Sequence, residues 1–494
     1  MANTDPAHWF LDAAAVPRTP AFVRGNVVRP LIDGAAYMQD LGDKLARSAM
    51  GDYFHFAGWR VSPSQRLSPL VPDSPTFDQL VRSLIAADVQ VRVALWYVFG
   101  SSLRGSGLLP NVVTGNAALV ESVLAAGGQA ILDARLARPY HSHHQKTCVL
   151  SSGGEDYAYV GGIDICGDRW DTSAHENAPG RSQEGYEGWH DVQSVIHGPA
   201  VAQVWLNFAQ RWNDSRRPHT VRWMPGGTVP PPITAAPPEP KLVGTHNVQV
   251  LRTLACGVYP FARYGEQTVR LGYERAIRRA KHYIYIEDQY LWPCSVANDL
   301  RDAAARGVKI ILVTSREYSV GGPLRSTHIS MRHRLLEHVR GSNPKNVLTF
   351  HLQRPDYGGD IYVHSKVIIV DDCYAAIGSA NLNFRSQTSD TELQVAVVDD
   401  VTLASTMNGE PVQVCRFAAE LRQALWTEHL GLMDGGTVAD PIVGLGCWPS
   451  AERPAQRHHA VWHAVATPGA PVARLLVNLM NPRTDCAAEP APLG

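Results

Sequence analysis

The stretch that decides the fold is IYVHSKVIIVDD, Ile361 to Asp372. It holds a histidine and a lysine two places apart, then the apolar run VIIV, then two aspartates. A run of that length, rich in β-branched residues, reads as a buried strand. Alternation along a strand puts residues i and i+2 on one face, so His364 and Lys366 point the same way. Just past the run comes IGSANLN, a glycine turn followed by short polar side chains.

The same order occurs once before. YHSHHQKTCVLSSGG, Tyr140 to Gly154, carries His144, Lys146 and the run TCVL, and VGGIDIC follows it. His144 and His364 are 220 residues apart, as are Lys146 and Lys366. The flanks repeat as well. DGAAYMQDLGDKLARSAMGDYFHFAGW and TVRLGYERAIRRAKHYIYIEDQY each read as a helix and then a strand. FDQLVRSLIAADVQVRVALW and DLRDAAARGVKIILVTS do the same, with Val89 and Val308 at the strand starts, 219 apart. This is a duplicated α/β unit in which strands alternate with helices. The expected units are lobes at 22–221 and 246–433. Between them, residues 222–245 form a connector whose proline and glycine density prevents a regular element. A packed tail follows at 434–494.

The bulk numbers narrow the function classes. The 494 residues suffice for one large two-lobed unit, and a net charge of −1 supplies no global field for nucleic acid. The eight cysteines are widely spaced with no CxxC pair, so reduced, mostly buried thiols are expected. The first residues lack a basic segment followed by an apolar one, and no apolar run reaches spanning length. A soluble protein in the cytoplasm or at a membrane surface is expected, with export lacking a Sec signal left open.

The repeat also filters the histidines. His141 and His143 have no counterparts in the second copy, and no Cys, Asp or Glu lies beside them at ligand spacing. Both are read as polar loop residues, and no metal site is assigned. What the copies share is His-x-Lys. Two such pairs meeting across a pseudo-twofold axis would place two imidazoles and two ammonium groups around one cavity. That set suits a phosphodiester. Lys146 and Lys366 would stabilise phosphoryl oxygens. One histidine would attack phosphorus and the other would protonate the leaving alcohol, with no metal needed. Ser379 and Asn381, with Gly162 and Asp164 at the matching places, are candidates to hold phosphoryl oxygens. Asp191 in GWHDVQSVIHG and Glu392 in DTELQVAVVD open equivalent strands and are candidates to fix a histidine tautomer.

These segments resemble the phospholipase D superfamily, whose motif is HxK, four residues, D, then a GS or GG turn with Asn nearby. The resemblance runs from about Val28 to Leu432. HHQK, YVGGIDIC with DRWDT, GWHDV with HGPAV and QRWN, VQVLRT, YIYIEDQY, YVHSKVIIVDD with IGSANLN, and LRQALWTEHLGL look like the eukaryote-type pattern. The resemblance implies an α/β fold of two homologous α/β/α lobes related by a pseudo-twofold, each a mixed sheet flanked by helices. It implies ping-pong phosphatidyl transfer, with His144 as nucleophile and His364 as general acid and later base. Lys146, Lys366 and Asn381 would bind phosphate, and Asp371 would be the motif aspartate. One departure stands out: copy two keeps Asp371, whereas copy one has Ser151 followed by SGGED, with Glu155 and Asp156 as possible substitutes.

The expected activity is therefore hydrolysis of the distal phosphodiester of a glycerophospholipid, with transfer to alcohols. A phosphatidyltransferase of the cardiolipin or phosphatidylserine synthase type, or a nuclease of the superfamily, is the alternative. No cofactor is expected for the chemistry, and calcium would assist membrane binding only. The expected partner is a phospholipid surface, not nucleic acid, and the chain is expected to act as a monomer because it holds both motifs.

Overall fold

The computed structural model describes residues 4–16, 21–97, 112–136, 141–176, 188–215, 229–239, 241–316, 322–341, 343–354, 359–431, 439–449, 460–462 and 480–481. The strands of the first half are β1 (Val23–Ile32), β2 (Tyr53–Gly58), β3 (Gln90–Trp96), β4 (Gln129–Asp133), β5 (Lys146–Ser152), β6 (Glu155–Gly161), β7 (Trp189–His190) and β8 (Val192–His197). Those of the second half are β9 (His246–Leu254), β10 (Glu266–Gln267), β11 (Tyr283–Glu287), β12 (Lys309–Val313), β13 (Val347–Gln353), β14 (Asp360–Val363), β15 (Val367–Val370), β16 (Tyr374–Gly378) and β17 (Glu392–Asp399).

The pairings show the duplication. The first sheet runs β4-β3-β2-β5-β6-β8-β1, with β2, β3 and β4 parallel and the rest antiparallel. The second runs β13-β12-β11-β15-β16-β17-β9, with the same parallel trio at one end. Each is thus a mixed sheet in the same strand order, and β1 joins them by pairing with β9 as well as β8. Register sets the equivalences. Ala57 stands opposite Thr147, the residue after Lys146, and Glu287 stands opposite Val367, the residue after Lys366.

The three largest apolar cores among the described residues follow from this layering. One lies between the sheets and gathers Val160, Val192, Ile377 and Val395 with the helices Ala200–Ser215 and Arg416–Leu430. The outer face of the first sheet packs on helices Asp33–Leu45, Phe77–Ala86 and Val112–Ala125. The outer face of the second packs on Thr268–Arg279, Ala297–Ala305 and Gly322–Arg340. Sequence dictates these faces. In Phe77–Ala86 the buried residues are Phe77, Val81 and Leu84, at helical spacing, and Thr76 with Gln79 forms a capping box that starts the helix.

Residues 229–239 run as an extended segment tied to the helix Ala200–Ser215, where Asn213 holds Ile233 through both its N–H and its carbonyl. Most of the expected tail lies outside the described residues. Within it, Ala460–Trp462 adds a strand to β13, and Asn481 accepts from Phe384 N at 2.7 Å. Among the described residues no helix is long and apolar enough to cross a membrane. One cysteine expectation needs correction: Cys256 is disulfide-bonded, while Cys148, Cys166, Cys294, Cys373 and Cys415 are buried free thiols.

Candidate active site

Each histidine of the repeated motif is paired by the opposite half. The segment before β5 bridges the start of β17: His143 pairs with Thr391, and His144 N donates to Thr391 O at 2.9 Å. The segment before β15 does the same to β7: Val363 pairs with His190, and His364 N donates to His190 O at 2.7 Å. The exchange brings His144 Nδ1 to 3.1 Å from both carboxylate oxygens of Glu392, and His364 Nδ1 to 2.6 Å from Asp191 Oδ2. In each case Nδ1 carries the hydrogen, so Nε2 of the neutral ring has a free lone pair. A lone pair on Nε2 is what a nucleophile or a general base needs, and a proton there makes the general acid.

The lysines stand beside these rings. Both begin or immediately precede their strands, and both are buried. Lys146 Nζ donates to His144 O at 2.8 Å, and Lys366 Nζ donates to His364 O. Lys146 also lies 3.4 Å from Asp164 Oδ2, whereas Lys366 forms no ion pair among the described residues. The residue matching Asp164 in the second half is the neutral Asn381, whose Oδ1 is buried without a hydrogen-bond partner. The two turns differ likewise. Gly162 is required because a Cβ there would sit 2.1 Å from Asp191 Oδ1. Its counterpart Ser379 carries a side chain, and its hydroxyl donates to Glu392 Oε2 at 2.6 Å. Ser379 therefore holds the carboxylate. Asp164 Oδ1 is taken by the amides of Trp59 and Arg60, at 3.1 and 3.0 Å.

Asp371 stands apart from this group. Its carboxylate collects the backbone N–H groups of Lys281, His282 and Tyr283 at 2.7–2.9 Å, at a left-handed φ of 52°. Ser151 does the corresponding job with one bond, accepting from Tyr53 N at 2.9 Å. Asp156 accepts from the Tyr53 hydroxyl instead, and Glu155 is partnered by His197 and Lys241 near the surface.

Sequence reasoning missed a second layer. Gln193 and Gln394, each two residues past the carboxylate, donate to the carbonyls of Lys146 and Lys366 at 3.3 and 3.2 Å. The repeated D-x-Q and E-x-Q spacing was their signal. His141 and His143 are both buried, which corrects the polar-loop reading. His143 Nε2 lies 2.9 Å from Asp133 Oδ1, and its Nδ1 faces Tyr259 and Thr391 hydroxyls. Asp133 is ten residues upstream, so no local spacing could show it.

A further cluster lies behind Asp191. Ligand atoms of Asp33, His175, His190 and Glu428 all lie within 4.8 Å of one another and could hold a divalent cation. The other ring nitrogen of each histidine faces a carboxylate, His175 on Asp171 at 2.8 Å and His190 on Glu287 at 3.0 Å, as metal-bound imidazoles commonly do.

The site is charged and buried. Burial, reinforced by Lys146 and Lys366, holds His144 well below the usual imidazole range, and burial with Lys366 and Arg169 does so for His364. Burial pushes Asp191 up to about 6 and Glu392 up to about 7, and brings Lys366 down to about 8. Burial is the largest cause of each of these shifts, and the lysines add to it at both histidines. An anion between the two lysines would offset their charge.

Comparison with known proteins agrees with this geometry. The family model "Phospholipase D" matches residues 116–313, and "Cardiolipin synthase, PLD-like domain" matches 273–410. The chain is 28% identical to Phospholipase D1 of Schizosaccharomyces pombe, over 59% of this chain and 27% of that protein. It is 29% identical to Phospholipase D alpha 3 of Arabidopsis thaliana, over 58% and 48%. The chain thus spans between about a quarter and about half of the length of these relatives. The structure of phosphatidylserine synthase from Haemophilus influenzae superimposes with a TM-score of 0.54 at 13% identity, covering 76% of this chain and 84% of that one, which is a likeness of fold.

Proposed function

The chain belongs to the phospholipase D superfamily, and from that premise we propose that it is a phospholipase D, cleaving the distal phosphodiester of glycerophospholipids. The observation that carries this reading is the exchanged pairing: two imidazoles, each oriented by a carboxylate from the opposite half, beside two buried lysines. His144 attacks phosphorus through Nε2 while His364 protonates the departing headgroup oxygen. The resulting phosphatidyl-histidine is resolved when water or an alcohol gives its proton to His364 and its oxygen to phosphorus. Atoms balance in both halves: headgroup alcohol leaves first, then phosphatidic acid or a phosphatidyl alcohol. Lys146, Lys366 and Asn381 hold the phosphoryl oxygens. Asp191 and Glu392 hold the tautomers, and Asp371 and Ser151 hold the strands that present the motifs.

The reacting groups are side chains. Calcium would act on membrane binding only. The partner is a phospholipid surface, approached by a single chain that carries both motifs.

The test is mixed phospholipid micelles with a few per cent ethanol, with and without chelator, read by mass spectrometry. Phosphatidylethanol formed under chelator is the expected result and assigns the chemistry to the side chains. Product seen only with calcium, on micelles and on a soluble short-chain lipid alike, would overturn the assignment of the chemistry to side chains alone. Transfer only to phosphatidylglycerol or serine would replace hydrolysis by a synthase reading. No product with any common headgroup would overturn the lipase reading.

A further inference from the structure

The two halves of the site also differ in how an arginine is held beside each carboxylate strand. In the second half, Arg385 pairs with Asp390 at 2.9 Å, and Asp390 stands two residues before Glu392. In the first half the residue two before Asp191 is Trp189, and Arg169 lies over its indole, 3.6 Å from Cζ to the ring centroid. Both arginines leave the corresponding turn, Arg169 eight residues past Gly161 and Arg385 seven past Gly378. An ion pair in one half is thus a cation–π pair in the other.

The pair is built into the fold. Arg169 is 2% exposed and Trp189 7%. The short 3-10 turn Gly167–Arg169 presses on the start of the helix Asp33–Leu45, where a Cβ on Gly34 would fall 1.9 Å from Arg169 O. Asp168 is shared between Arg169 and Arg60, so one carboxylate serves two guanidinium groups. Arg169 Nε is buried with no hydrogen-bond partner. Trp189 in turn packs its ring 4.9 Å from that of His364, and Tyr362 closes on Trp189 at 4.4 Å. His144 has a looser aromatic neighbour, Trp59, edge-on at 6.0 Å.

We propose that Arg169 and Trp189 form a positioning pair for His364: the guanidinium clamps the indole, and the indole holds the imidazole in line with the leaving-group oxygen. The pair serves the protonation of the headgroup alcohol, and its counterpart Arg385–Asp390 has no such role. This rests on the phospholipase D reading and on His364 as general acid. A residue that positions a general acid has a signature that a merely structural residue lacks: its loss hurts substrates in proportion to how badly their leaving group needs a proton.

The experiment uses the full chain with two substrates that share one diacylglycerol phosphate, one esterified to choline and one to p-nitrophenol, whose leaving group needs little proton assistance. For Arg169→Gln, kcat/KM, which reports only the steps up to departure of the leaving group, should fall about 10- to 100-fold on the choline ester and less than about 3-fold on the nitrophenyl ester. Trp189→Ala should copy that split, Trp189→Phe should restore most of it, and Arg385→Gln should show none. Equal losses on both esters, or a split for Arg385→Gln as large as for Arg169→Gln, would overturn the proposal. If Arg169→Gln fails to fold, the Trp189→Ala and Trp189→Phe comparison decides alone. If the wild-type chain turns over neither ester, the functional reading has failed and the inference with it. If it turns over both and the split is missing, only the inference has failed.

Discussion

The two halves share a backbone and diverge in side chains. Around His144, Glu392 offers both oxygens at 3.1 Å, Ser379 ties that carboxylate down, and Lys146 is partnered by Asp164. Around His364, Asp191 offers one oxygen at 2.6 Å over the bare Gly162, Lys366 has no carboxylate partner among the described residues, and the neutral Asn381 replaces Asp164. The first arrangement pairs its ammonium with a carboxylate, and among the described residues the second leaves Lys366 without one and Asn381 Oδ1 without a donor. The shared frame thus carries different electrostatics on its two sides, and the proposed phosphoryl contacts would fall mainly on Lys366.

The most direct way to break this comparison is to remove each histidine. His144→Ala and His364→Ala should each lower kcat by about 10³-fold or more, and the double variant should be little worse than either, because the two act as one unit. Near-native turnover by either single variant would refute the shared site. Rapid-quench detection of phosphorylated protein sharpens the result: His364→Ala should still label on an activated nitrophenyl ester, and His144→Ala should not.

Next in size are the carboxylates. Asp191→Asn and Glu392→Gln each present an N–H to Nδ1, favour the wrong tautomer and should cost about 10²- to 10⁴-fold in kcat. Asp191→Asn should be the larger loss, since one short bond at 2.6 Å carries the orientation there, whereas Ser379 O also faces His144 Nδ1 at 3.1 Å. Equal losses would say that the extra contacts on the His144 side contribute nothing.

The lysines should separate less sharply. Lys366→Met should lower kcat/KM about 10²-fold or more by removing a charge aimed at the transition state. Lys146→Met should also cost activity, but by a smaller factor, because Asp164 already offsets part of that charge at 3.4 Å. Steady-state kinetics on the choline ester decides the order.

The repeat made much of this legible. His-x-Lys at an interval of 220, a strand behind it and a glycine turn beyond it placed the two motifs and the two sheets. Asp191 and Glu392 were legible because both open apolar strands, and period-2 alternation is a local signal. What stayed hidden was non-local. His143 reads as a loop residue until Asp133 arrives from a different strand, and its burial comes from tertiary packing. The cluster of Asp33, His175, His190 and Glu428 draws on four segments with no common spacing. Ser379 looked like a phosphate donor because of its place in the turn, yet a hydroxyl 2.6 Å from a carboxylate is already committed. Which of two polar partners a side chain takes is settled by distance, and sequence does not carry distance.

The smallest expected effect tests the one place where the first copy departs from the motif. Asp371 binds three backbone amides at 2.7–2.9 Å, and Ser151 binds one at 2.9 Å, from Tyr53, the equivalent of Tyr283. Both sit at the far end of the strand from the histidine, so each should act on the strand and not on the chemistry. Asp371→Asn would turn an acceptor toward an N–H donor and leave buried amides unpaired. It should destabilise the protein by about 1–3 kcal/mol, read by denaturant unfolding, with kcat changed little in the fraction that stays folded. Ser151→Ala should cost about 1 kcal/mol or less, because one exchanged hydrogen bond is worth about that much. Ser151→Asp has one ready amide and a burial cost for the new charge, so it should change stability by under about 1 kcal/mol and leave kcat within about 2-fold. A gain in kcat of tenfold or more on Ser151→Asp would show that the motif aspartate acts on the reaction, and that the serine has detuned the first half.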